Sequence, residues 1–334
     1  MKPSGRRWIV LFVGLGLPIF SLSRSAAALT VVTPFGPADS SCVHETPKGG
    51  KIDVQTGAVT LNGAVVDNFA PCTVDWQLQT PEKTNSGGTT PPSTTGWYIW
   101  SDAQWVSISG ANRPFDEFDE FWTVPNNPSP PSGDSPLEYI WYGLQNNQGL
   151  SSNGTGCGSS GNIVLIQPVL QWGSNGSNGG AFWSIASWQV WGCNSSCGSC
   201  STAHSTYETT AAGRTISGFV YQVASNLDEW EIYTMDSSGT YTYDYIWNIP
   251  NAWPKFGSAQ GGVLENYGIS SCQDFSPSNS VTFNDNGTYA AYPSWNSFDA
   301  VDSLMSWGGW WTNPSPSCSW GVSAGSATTL SWVE

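Results

Sequence analysis

The 334-residue chain carries 25 Asp and Glu against 10 Lys and Arg, a formal net charge of −15 at pH 7. A surface of that sign repels nucleic acid and anionic lipid, so neither is expected as a principal partner. Only two histidines occur, His44 and His204, and Gly-x-Ser-x-Gly, His-Glu-x-x-His and phosphate-loop motifs are absent. Hydrolytic chemistry on this chain therefore has to rest on carboxylates and amides.

The first residues read as a secretory signal over 1–28. Lys2, Arg6 and Arg7 form a basic start, Trp8 to Phe20 is apolar, and Ala26, Ala27 and Ala28 are small. Thirteen apolar residues are too few to span a bilayer comfortably, so a secreted protein is expected rather than an anchored one. Cleavage removes four bases and no acid, leaving six bases against 25 acids, a charge of about −19. When its carboxylates protonate, such a chain exposes little positive charge to repel itself, which suits an acidic medium.

Residues 29–79 form a small front segment, either a pro-segment or accessory strands. A Pro/Gly/Thr-rich stretch over 80–96 follows as a linker or loop, and 97–334 is long enough for one β-sandwich core. Short runs rich in Val, Ile, Thr, Trp and Tyr recur between turn residues, at 97–108, 138–144, 163–172, 181–191, 216–223, 230–235 and 240–249 among others. They have strand length, and no helical period is sustained, so the fold class is all-β, a sandwich or jelly roll. The acidic run Asp116-Glu117-Phe118-Asp119-Glu120 reads as a solvated strand edge or loop.

All eight cysteines lie beyond the signal, and an even count in an exported chain predicts disulfides. Cys42–Cys72 is expected to close the front segment and Cys272–Cys318 to tie the tail, with Cys157 pairing into the loop that holds Cys193, Cys197 and Cys200. With His204 these last three mimic a zinc set, but that needs reduced thiols, so no metal or cofactor is expected. His44 and His204 both read as loop residues. Asn153, Asn175, Asn194 and Asn286 begin Asn-x-Ser/Thr triplets.

Twenty tryptophans are the remaining signal. They suit either a core or an aromatic groove for a peptide or glycan, with Trp141, Trp183, Trp188 and Trp191 as candidate lining. The order of short motifs then resembles the eqolisins, the glutamic peptidases. Phe121-Trp122-Thr123-Val124-Pro125 is similar to their F-T-V-P, Trp141-Tyr142-Gly143-Leu144 to W-V-G-I and Leu165-Ile166-Gln167 to I-L-Q. Trp188-Gln189-Val190-Trp191 is similar to W-Y-E-W, Val263-Leu264-Glu265 to W-I-V-E and Val281-Thr282-Phe283 to V-T-F. The resemblance implies a concanavalin-like antiparallel β-sandwich (jelly roll) with a peptide groove on one sheet. It also implies acid endopeptidase activity, with Glu265 activating water and Gln167 stabilising the oxyanion. The sequence departs from the pattern at Gln167-Pro168-Val169, where the family has Gln-Thr-Gly. It departs again at Gly262, where uncharacterised secreted relatives often carry a second Glu. A non-catalytic glycan-binding sandwich and a glycan-cleaving enzyme are the alternatives. A polypeptide substrate and a monomer are expected.

Overall fold

The computed structural model describes residues 29–72, 96–146, 162–192, 200–223, 229–290 and most of 299–333, a few isolated positions aside. The signal segment, Cys157, Cys193 and Cys197 lie outside these residues. The described chain is almost wholly strand, with two single-turn 3-10 helices.

The front segment supplies β1 (Thr30–Thr33), β2 (Gly36–Asp39), β3 (Val43–Thr46), β4 (Lys51–Asp53), β5 (Ala58–Leu61) and β6 (Ala64–Asn68). The body continues with β7 (Trp97–Gln104), the small hairpin β8 (Val106–Ile108) and β9 (Ala111–Arg113), β10 (Phe115–Thr123), β11 (Leu137–Gln145) and β12 (Val164–Ser174). Next come β13 (Gly179–Trp191), β14 (Ser201–Ser205), β15 (Glu208–Thr209), β16 (Thr215–Gln222), β17 (Trp230–Asp236), β18 (Tyr241–Trp247) and β19 (Ser258–Tyr267). The chain finishes with β20 (Ser280–Ala290), β21 (Asp299–Ala300), β22 (Trp307–Trp311), β23 (Ser319–Ser323) and β24 (Ala327–Val333).

Two large sheets pack face to face as a concanavalin-like sandwich. The first runs β22-β7-β19-β11-β12-β13-β14-β3, and the second runs β23-β24-β20-β10-β16-β17-β18-β4-β5-β6. Their pairings are antiparallel except where the front segment joins: β3 lies parallel to β14, and β4 parallel to β18. The front segment thus adds one strand to an edge of the first sheet and three to an edge of the second, and Cys42–Cys72 closes it while Cys272–Cys318 ties in the tail. Both pairings are those expected. Cys200 is disulfide-bonded as well, so its sulfur is not a zinc thiolate.

Residue alternation divides the first sheet into an inner face, toward the second sheet, and an outer face. Ile140, Tyr142, Leu144, Ile166, Leu170, Trp183, Ile185 and Trp191 belong to the inner core with Trp122, Val220 and Ile232. Tyr139, Trp141, Leu165, Val169, Ala186, Trp188 and Val263 belong to the outer cluster, together with Phe35, Ala38 and Cys42 of the front segment. A tryptophan as enclosed as Trp183 contributes on the order of 3–5 kcal/mol against alanine.

Three local expectations are corrected. The acidic run is no solvated edge: β10 sits between β20 and β16, and Asp116, Asp119 and Glu120 are buried. Burial pushes the Asp116 carboxyl up to about 7, with the Glu117 charge adding to the shift. His44 and His204 are not in loops but in β3 and β14, in neighbouring registers. The His204 ring packs against Trp188 and Tyr207, and its Nδ1–H donates to Ser205 O at 2.9 Å. Asn175 is buried in the β12–β13 turn, where its Oδ1 accepts from the N–H groups of Ser177 and Asn178; it is no exposed glycan acceptor.

Candidate functional site

The outer face of the first sheet gathers several polar side chains around its central strand. On its central strand β11, Tyr139 pairs with Gln171 of β12 on one side and with Glu265 of β19 on the other. With strands about 4.8 Å apart, Gln171 and Glu265 face each other across Tyr139 at roughly 10 Å between main chains, within reach of two long side chains. Glu265 is fully buried. Its Oε1 accepts from the Tyr267 hydroxyl and its Oε2 from Trp141 Nε1 at 3.3 Å. Burial pushes its carboxyl up to about 8, against the lowering effect of those two donors. The Glu265 charge contributes in turn to raising the Tyr139 and Tyr267 hydroxyls, after burial itself.

Gln171 is equally fixed. Its Oε1 accepts from Tyr207 at 2.7 Å, and its Nε2 donates to the carbonyls of Gly173 and Asn178 at 2.8 and 3.3 Å. Asn175 Nδ2 donates to the Tyr207 hydroxyl at 3.2 Å, which extends the network. Gly179 makes this possible: a Cβ there would stand 2.5 Å from Gln171 Nε2 and 2.1 Å from Gly173 O.

The expected pair Gln167 and Glu265 shares this face but not this level. Gln167 lies four residues from Gln171, about 13 Å along β12. There its Cγ would be 3.1 Å from a Cβ on Gly143, across from Gln260. Gln167 is buried with neither amide atom hydrogen-bonded, and Gln145, one pleat on, is in the same condition. The residue that sequence reasoning passed over is Gln171. Its signal was there, since Gln171-Trp172-Gly173 keeps the Gln-x-Gly order that Gln167-Pro168-Val169 lacks. Gly262 is settled by sterics: a Cβ there would meet the Phe283 ring at 2.7 Å, inside the sandwich. A side chain at 262 would point away from the outer face that Glu265 occupies.

The four candidate tryptophans separate by parity. Trp141 and Trp188 lie on the outer face, whereas Trp183 and Trp191 fill the inner core and cannot line a groove on this sheet. What covers the outer face is the β1–β2 hairpin. Tyr139 donates to Val32 O at 2.6 Å, Val32 N–H donates to Asn175 O at 2.9 Å, and the Tyr267 hydroxyl is 3.5 Å from Thr33 O. Phe35 sits edge-on to Trp188 at 6.1 Å. The outer face thus holds Val32 of the chain's own hairpin by its main chain.

Comparison with solved structures finds eqolisins. The chain is similar to scytalido-glutamic peptidase with a transition-state analogue inhibitor, at 14% identity and TM-score 0.43, over 71% of this chain and 98% of that one. It is similar to an eqolisin peptidase complexed with the tripeptide Ala-Ile-His, at 15% identity and TM-score 0.41, over 72% and 100%. An alginate lyase from Aplysia kurodai follows at 12% identity and TM-score 0.28, over 69% and 93%. No family profile and no characterised protein sequence matches the chain. These likenesses are of overall architecture and transfer no residue role. Among the described residues no helix is long and apolar enough to cross a membrane.

Proposed function

We propose that the protein is a secreted acid endopeptidase in which Glu265 activates water against a peptide carbonyl held on the outer face of the first sheet. The observation that carries this reading is the Tyr139 hydroxyl, which already donates to a main-chain carbonyl on the strand position beside Glu265. A peptide bond seated like Val32 has its carbonyl oxygen on a donor, with a carboxyl one strand away and a second amide, Gln171, on the other flank. Tyr139 then donates to the developing oxyanion, joined by Gln171 through the N–H that gives up its longer bond, to Asn178 O at 3.3 Å, and Glu265 moves the proton from water to the leaving amine. A carboxyl that is hydrated when the groove opens returns toward its ordinary range near 4, where it can serve as base and acid in turn. This reading places the amide role at Gln171 rather than at Gln167.

Glycan cleavage by paired carboxylates is less well supported. Among the described residues of this face, Asp102 is level with Gln260 and roughly 15 Å along from Glu265, and Glu45 is on β3, five strands from β19, both beyond the usual span of about 5–10 Å. The expected result is hydrolysis of unfolded casein at pH 2–4, lost in Glu265→Gln. Absence of cleavage by both the full chain and a Phe35→Ala variant with a loosened hairpin ends the reading.

A further inference from the structure

We infer that the β1–β2 hairpin is a built-in occupant of the substrate groove, seated where a peptide lies and keeping the site closed until it is displaced. The inference rests on the outer face being a peptide site, as proposed above, but not on Glu265 performing hydrolysis.

The hairpin is a two-stranded sheet of its own that lies on the outer face and is bonded to the body through its main chain. Val32 is paired with Pro37 inside the hairpin, yet it spends its own N–H and C=O on the body, on Asn175 O and the Tyr139 hydroxyl. In an antiparallel pair such a residue turns its N–H and C=O outward, away from its partner, and the body takes up these main-chain groups. The hairpin makes its own turn: Thr33 Oγ1 donates to Gly36 O at 2.7 Å and accepts from Phe35 N–H at 3.1 Å. That turn drives Phe35 onto Trp188, where it is 1% exposed, and Val31 and Ala38 are buried beside it at 3% and 2%. With the hairpin in place Trp141, Trp188 and Glu265 are each 0% exposed. No peptide reaches them in this arrangement.

The occupant also reports what the groove prefers. Residues 29–38 carry no charge, and their buried members are Val31, Thr33, Pro34, Phe35, Gly36 and Ala38, so the face suits uncharged segments with an aromatic residue. Cys42–Cys72 ties the base of the hairpin to the rest of the front segment, so the hairpin leaves either by unseating locally or together with that segment.

The test compares full-length protein with Phe35→Asp and Phe35→Ala, each also in the Glu265→Gln background so that binding is read without turnover. Binding of a labelled, uncharged, Phe-containing peptide at pH 4 is measured by fluorescence anisotropy, after cooperative unfolding confirms that each variant is folded. The expected result is at least tenfold tighter binding to both Phe35 variants than to the parent. Should Phe35→Asp not fold, Phe35→Ala decides. Equal binding to parent and variants overturns the inference, as does preferential binding of a neutral oligosaccharide over the peptide. Tighter peptide binding without any hydrolysis by variants that retain Glu265 sustains the occupant and removes only the catalytic reading. Hydrolysis by the parent at the rate of Phe35→Ala does the reverse.

Discussion

The two faces of the first sheet are buried alike and built differently. On the inner face Tyr142, Trp183, Ile185 and Trp191 meet the second sheet; Ser187 Oγ donates to Ile232 O and Gln189 Nε2 to the Asp244 carboxyl, while Gln189 Oε1 and Trp183 Nε1 are buried without a hydrogen bond. On the outer face hydroxyls, carboxamides and the Glu265 carboxyl are enclosed by the β1–β2 hairpin of the chain's own front, and Gln145 and Gln167 keep amide atoms without partners. Both faces leave buried polar atoms unbonded, so what separates them is the cover: a whole second sheet over one, and a two-stranded hairpin of the chain's own front over the other. An inner-face residue is thus expected to govern stability and an outer-face residue to govern activity.

The largest effect is expected at the carboxyl itself. Glu265→Gln keeps the shape and removes the titrating proton, so acid proteolysis should fall about 10²–10⁴-fold. Stability at pH 8 should rise in the same variant, because the folded state no longer has to ionise or withhold ionisation of a buried acid. A variant as active as the parent assigns Glu265 to packing and erases the contrast between the faces.

Next comes pH. Glu265 and Glu138 are pushed up to about 8 and Asp116 to about 7, while burial raises Asp244 well above the carboxylate range. Each of these raised acids contributes stability that is complete below its unfolded value near 4 and is lost as pH climbs through the folded value. His204 opposes them: burial lowers it to about 4, so its contribution is complete above about 6.5 and lost as pH falls toward 4. Asp236 is lowered by bonds from Ser238, Thr210 and Arg214, despite burial, and likewise weakens the fold only in strong acid. Four acids outweigh one imidazole, so Tm at pH 4.5 should exceed Tm at pH 8 by about 10 °C or more. A flat profile in a calorimetric scan would mean that these carboxyls are hydrated.

Smaller and more diagnostic are the donors. Tyr139→Phe and Gln171→Ala should each lower kcat by roughly 10–10³-fold, in line with single oxyanion donors. Gln167→Leu should leave kcat within about threefold and raise Tm slightly, since it removes unbonded polar atoms from a buried place. Reversal of the two glutamines in this series restores Gln167 as the amide partner. This is also where legibility stops. The strand runs, the sandwich and two disulfides follow from alternation, turn residues and cysteine spacing, all of them local or combinatorial signals. Gln167 and Gln171 lie on the same face by the same period of two, so only the pairing of β11 with β12 and β19, a long-range register, tells them apart. Parity within 182–191 is equally silent about which face is inner, and it is the second sheet that claims Trp183 and Trp191 for the core. Nothing in residues 29–42 announces that they cover the groove, because the contacts involved lie more than a hundred residues away.

The smallest effect concerns how the front segment is held. Its visible charges form two ion pairs with the body, Lys48 with Glu208 at 2.9 Å and Lys51 with Glu229 at 2.5 Å, and both lysines are about a third exposed. Water screens such pairs, and holding two long side chains together costs entropy, so each contributes about 0–1 kcal/mol. The hairpin is held by other means: the main-chain bonds of Val32, the Phe35 ring and the disulfide at its base. None of these titrates in acid. Lys48→Ala/Lys51→Ala should therefore shift Tm by only a few degrees and leave peptide binding at pH 4 unchanged, while Phe35→Ala changes that binding. Were the double lysine variant to open the groove as far as Phe35→Ala does, the seat of the hairpin would be electrostatic.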